Sequence, residues 1–124
     1  MKIGIGLLMV LPLLAHHSVK AEHDTSKIVS IRGTVTKVEF MNPHGHFYLD
    51  VLEPDGKVTN QAFEFGPPNS LRRLGVTRDS LKEGDQISVD AYASKNGGKF
   101  ASARMLTWPD GRTLDVHDSL GGQK

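Results

Sequence analysis

The chain has no cysteine. Disulfides are therefore excluded, and so is a lipoprotein anchor, which requires a cysteine at the cleavage point. A domain of about a hundred residues tolerates this, because its core can suffice without cross-links. Any metal site must use histidine, carboxylate, methionine or backbone groups. Neither charge sign dominates, with 15 Lys and Arg against 14 Asp and Glu, so no polyanionic partner is implied. The longest apolar run, Ile3 to Leu14, falls short of the roughly 20 residues a membrane-spanning helix needs. Catalytic signatures are missing as well. Ser18, Ser70 and Ser80 occupy no nucleophile elbow, and no glycine-rich phosphate loop with a lysine occurs. The chain is not expected to be an enzyme.

What is present begins with an apolar start. Lys2 precedes the uncharged stretch Ile3 to Leu14, and Ala15 supplies a small residue at its exit. A basic start, a short apolar run and a small-residue exit form a secretory signal. Gly4, Gly6 and Pro12 make the alternative, a buried helix, a poor one. The expectation is a signal peptide over 1–15, a mature chain beginning His16-His17-Ser18, a periplasmic or secreted address, and no membrane anchor after cleavage. The competing site follows Ala21 and is disfavoured by Lys20 beside it.

From Ile28 onward the hydrophobic period is two, as in strands. Ile31, Gly33 and Val35 share one face; then the apolar set slips by one to Val38 and Phe40. A β-bulge produces such a slip. Asn42-Pro43-His44-Gly45 and Glu53-Pro54-Asp55-Gly56 are turns. They bracket a strand with Phe47, Leu49 and Val51 on one face, and a third strand with Phe63 and Phe65 follows. Asn69 is a candidate cap for a short helix over Ser70 to Leu74, stopped by Gly75, with Leu71 and Leu74 covering one end of the fold. A fourth strand carries Ile87, Val89 and Ala91 inward, Asn96-Gly97-Gly98 marks a hairpin, and Phe100 to Trp108 forms a fifth. Thr113 to Val116 suits a short edge strand. This order predicts an all-β fold: a small five-stranded antiparallel OB-like barrel with one short helix between strands three and four. An open β-sandwich is the alternative. The expected divisions are a mature N-terminal segment over 16–27, the barrel over 28–118 and a flexible tail over 119–124.

Ala15-His16-His17-Ser18, Gly33-Thr34-Val35 and Asn42-Pro43-His44-Gly45-His46 together resemble DUF6152, a family of small exported bacterial proteins of unknown function. Leu71-Arg72-Arg73-Leu74-Gly75, Leu81-Lys82-Glu83-Gly84-Asp85 and Pro109-Asp110-Gly111 extend the likeness over essentially the whole mature chain. Phe40 departs from the pattern, standing where many members are expected to have Trp. The resemblance implies a periplasmic, β-rich domain and carries no activity.

Five of the six histidines lie between His16 and His46. His44 and His46, at i and i+2 of an extended segment, project to the same side and can converge on one ion. Imidazole suits Zn, Cu and Ni, and copper binds most tightly in the divalent series. An N-terminal His16 can chelate through its amine and its ring together, with His17 or His23 nearby and His44 or His46 completing a brace. The predicted metal residues are His16, His17, His44 and His46, with copper as the expected ion. The plain alternative is a solvated N-terminus, an in-turn hydrogen bond at His44 and a solvent-facing His46. Arg72, Arg73 and Arg78 read as a solvated face. Inward phenylalanines, balanced charge and export argue against nucleic acid as a partner. The leading expectation is a metal-handling or metal-sensing protein without turnover, with a metal ion and another periplasmic protein as its expected partners. Its rival is a metal-free OB-type module binding a protein, glycan or small ligand.

Overall fold

The computed structural model describes residues 23–94 and 98–120. The expected signal, His16 and His17, the turn residues Asn96 and Gly97, and residues 121–124 of the tail lie outside the described residues. Among those described, no helix is long and apolar enough to cross a membrane.

The first strand, β1 (His23–Glu39), is long enough to serve two neighbours. Its first part pairs antiparallel with β4 (Gln86–Ser94), up to Thr34 opposite Gln86. Its last part pairs with β2 (Gly45–Leu52). Between them the register steps from Val35 opposite Leu49 to Lys37 opposite Tyr48, which leaves Thr36 as the extra residue of a bulge. The expected slip in the apolar pattern is thus located. A Cβ at Gly33 would lie 2.5 Å from the Asp50 carbonyl oxygen, so only glycine lets β1 pass this close to β2.

The turn after β2 closes with Gly56 N–H donating to Glu53 C=O at 2.9 Å, and Gly56 adopts a φ of +89°. It feeds β3 (Val58–Phe65), which runs antiparallel to β2 from Leu52 opposite Val58 to Gly45 opposite Phe65. Helix α1 (Pro68–Arg73) starts earlier than expected, and Asn69 is not its cap. Pro68 suits the first helical turn because its missing N–H would be unpaired there anyway. Asn69 instead accepts a hydrogen bond from Arg72 Nη2 at 2.6 Å. Gly75, at φ +88°, ends the helix as expected. Val76 N–H returns to Leu71 C=O at 2.9 Å and Gly75 N–H to Arg72 C=O at 3.0 Å, a Schellman closure. Leu71 and Val76 are both buried, whereas Leu74 is 38% exposed and lies outside the core. The closure, by turning the chain back, gives Val76 the role expected of Leu74.

The remaining strands are β5 (Phe100–Thr107) and the short β6 (Thr113–Asp115), followed by a 3-10 turn over His117–Leu120 that the sequence pattern did not announce. Strand order is β3-β2-β1-β4-β5-β6, and β3 also pairs parallel with β5, Ala62 to Glu64 against Phe100 to Ser102. Five strands are thereby bonded in a barrel-like ring with the OB order, and β6 extends one edge. The expected inward set of Phe47, Leu49, Val51, Phe63, Phe65, Ile87 and Val89 is buried, none more than 8% exposed. Trp108 joins the core while its Nε1–H faces Asp85 Oδ2 at 3.4 Å.

Candidate functional site

Strand register builds the site. His46 lies opposite Glu39 on β1 and opposite Glu64 on β3, so one imidazole stands in a row between two carboxylates. The next outward row is Lys37, Tyr48, Ala62 and Phe100. Ala62 is small, and the Phe100 ring reaches past it to stack on His46, with centroids 4.1 Å apart and planes 18° from parallel. Tyr48 meets the same ring edge-on at 6.4 Å.

His44 enters from the loop before β2. Its Nδ1 is 2.9 Å from Glu64 Oε2. His46 Nε2 approaches the same oxygen at 3.8 Å, while its Nδ1 lies 3.6 Å from Glu39 Oε1. The two imidazoles therefore project to one side, as the i and i+2 spacing requires, and share one carboxylate. Gly45 between them is obligatory. A Cβ there would sit 2.7 Å from the Phe65 ring and 2.8 Å from the Glu39 carbonyl oxygen. Any larger residue would push the loop off the core and separate the histidines.

The cluster is half-sheltered. The Glu64 and His46 side chains are 15% and 17% exposed, and that of His44 is 39% exposed, so its outer edge meets solvent. Glu39 ties the cluster to its flank: Lys37 Nζ lies 3.3 Å from Oε2, and the Tyr48 hydroxyl donates to Oε1 at 3.2 Å. Its carboxyl is held below the usual carboxylate range, first by Lys37 and then, against the opposing cost of desolvation, by the Tyr48 hydroxyl. Burial pushes the Tyr48 phenol up, and its bond to Glu39 pushes the same way.

Of the four predicted metal residues, the structure brings His44 and His46 together; His16 and His17 are outside the described residues. Among the described residues, no group of three or more His, Asp or Glu side chains is arranged to hold a metal ion. Sequence reasoning missed Glu39, Glu64, Tyr48 and Phe100. His117 joins none of these contacts; its ring meets Tyr92 edge-on at 5.6 Å. Arg72, Arg73 and Arg78 are exposed, in keeping with a solvated face.

A cleft of about 530 Å³ adjoins the cluster, sharing Tyr48 and Ala62 with it, where β3 parts from β5, with Val29, Ile31 and Phe63 on its apolar side and Asn60, Gln61 and Lys99 among its polar groups. No curated protein matches the sequence. The model of a family described as "Family of unknown function (DUF6152)" matches residues 7–103, and the chain belongs to that family.

Proposed function

We propose that this member of DUF6152 is an exported metal-binding protein, with copper as its ion, acting in metal handling or sensing without turnover. The observation that carries the reading is the convergence of His44 and His46 on the single carboxylate of Glu64. Two imidazoles at one half-sheltered place make a partial nitrogen set of the kind Cu(II) favours. His16 supplies the missing donors: after cleavage behind Ala15, its amine and ring chelate together and His17 lies beside them.

Isothermal titration of Cu(II) tests this on three forms: the protein beginning at His16, a form with one residue added before it, and the H44A/H46A double variant. Both altered forms should bind more weakly, with fewer or rearranged nitrogens in the EPR hyperfine pattern. Equal affinity in all three overturns the brace, and binding no tighter than that of an unstructured histidine peptide overturns the metal reading. Intact mass of the exported protein should place its first residue at His16; a start at Glu22 would remove the chelate.

The cleft favours a second reading, a metal-free OB-type module that holds a protein, glycan or small ligand beside β3. Copper content after purification from the native compartment separates the two.

A further inference from the structure

Resting on the metal reading, we propose that Glu64 is the positioning residue of the site: its carboxylate fixes the proton of His44 on Nδ1 and thereby presents Nε2 as the metal donor. A ligating histidine generally gives its other ring N–H to a carboxylate or carbonyl, which fixes both tautomer and ring orientation. His44 Nδ1 lies 2.9 Å from Glu64 Oε2, a full hydrogen bond, and Glu64 accepts while Nδ1–H donates. The carboxylate is more sheltered than the imidazole, with 15% against 39% of the side chain exposed. The anchored end of His44 therefore faces the protein and its other end faces outward.

Glu64 can do this because its own place is fixed twice. It sits within β3, opposite His46 on one side and Ser102 on the other. His44 has no such support, since it lies before β2 begins and follows the turn at Asn42-Pro43. A loop imidazole left alone would sample several rotamers and, in its neutral form, would favour the Nε2–H tautomer, which blocks the nitrogen the ion needs. His46 is held differently, by Phe100 stacking and by carboxylates facing both of its nitrogens. The two histidines are thus unequal: His44 has Glu64 as its side-chain hydrogen-bond partner, whereas His46, which Glu64 also faces at 3.8 Å, is held by Phe100 and Glu39 as well.

The test uses the mature protein and the variants E64Q and E64A, first without metal. Imidazole ¹⁵N shifts, read at a pH where the ring is neutral, should show His44 as the Nδ1–H tautomer in the wild type and in E64Q, whose amide oxygen still accepts. E64A should revert to Nε2–H. With Cu(II) added, E64A should bind about 10–100-fold more weakly, and E64Q should recover most of the loss. The remote-nitrogen modulation of the coordinated imidazole in pulsed EPR should change in E64A and persist in E64Q. An Nε2–H tautomer for His44 in the wild type overturns the proposal whether or not copper binds. Wild-type affinity in both variants with an unchanged remote-nitrogen signal overturns it while leaving the metal reading intact. Equal weakening in E64Q and E64A with a changed donor set also overturns it, because Glu64 would then be a ligand. Absence of specific Cu(II) binding in the wild type itself is the separate failure of the metal reading.

Discussion

His46 stands between Glu39 and Glu64 with its ring on Phe100, and the charge balance of this row is adjustable from the Glu39 end. Glu39 is held below its ordinary value near 4.5, mainly by Lys37. A carboxyl depressed in the folded state contributes stability above its unfolded value, and that contribution disappears as pH falls through the folded one. The urea midpoint of the wild type should therefore exceed that of E39Q by more at pH 7 than at pH 3. A difference independent of pH would show that the ionised form of Glu39 adds nothing. Gly45 offers a steric counterpart. Alanine there must displace either the Phe65 ring or the β1 backbone at Glu39. G45A should cost about 1–3 kcal/mol in denaturant unfolding, and the same shift should lengthen the contact between His44 and Glu64. Retained stability in G45A would mean that the loop yields more easily than its packing implies.

Where the chain turns sharply, the turn residues decide how much could be read in advance. Helix α1 is short and lacks a side-chain cap, so its end depends on the left-handed Gly75 and the pair of backbone bonds that follow it. G75A should lower stability by about 1–2 kcal/mol, since a Cβ at φ +88° is strained even with open space around it. An unchanged unfolding midpoint would show that the closure tolerates an L-residue. The stop at Gly75 was legible because glycine has a specific backbone use there. The start was not, because Pro68 competes with Asn69 as a beginning and a sequence does not rank them. The site divides in the same way. The turn at Glu53–Gly56 fixes an antiparallel count that brings Glu64 opposite His46, so this neighbour was readable from the hairpin. Glu39 was not, because its place opposite His46 is set by the irregular loop between the end of β1 at Glu39 and the start of β2 at Gly45, which is no two-residue hairpin turn with a fixed count. Phe100 depends on a parallel pairing between β3 and β5, a contact across the fold that no local pattern announces.

Ring closure is the property that belongs to the molecule as a unit, and its strands are not equally bound. The β1–β4 ladder runs from His23 to Thr34, whereas the parallel seam between β3 and β5 covers only Ala62 to Glu64 and Phe100 to Ser102. Beyond that seam the strands part at the cleft. Proteins open locally at free energies from near zero up to the global value, and short pairings with little further support open first. Amides directed across the seam should therefore exchange by a partial opening, with lower protection than amides in the middle of β1 and β4. The global value expected for a domain of this kind is roughly 5–15 kcal/mol, which leaves room for such a step to be resolved. The seam also carries the site: Glu64 is on its β3 side, and Phe100, stacked on His46, is on its β5 side. Partial opening would separate Phe100 from His46 while leaving His46 paired across β1 and β2. A ligand held by the closed cluster should accordingly raise seam protection more than protection in β1 and β4. Native-state hydrogen exchange of the mature protein, with and without Cu(II), measures both effects. Seam amides that exchange only at the global limit would show that closure is part of a single cooperative unit, and equal protection gains everywhere on adding Cu(II) would show that binding does not act through the seam.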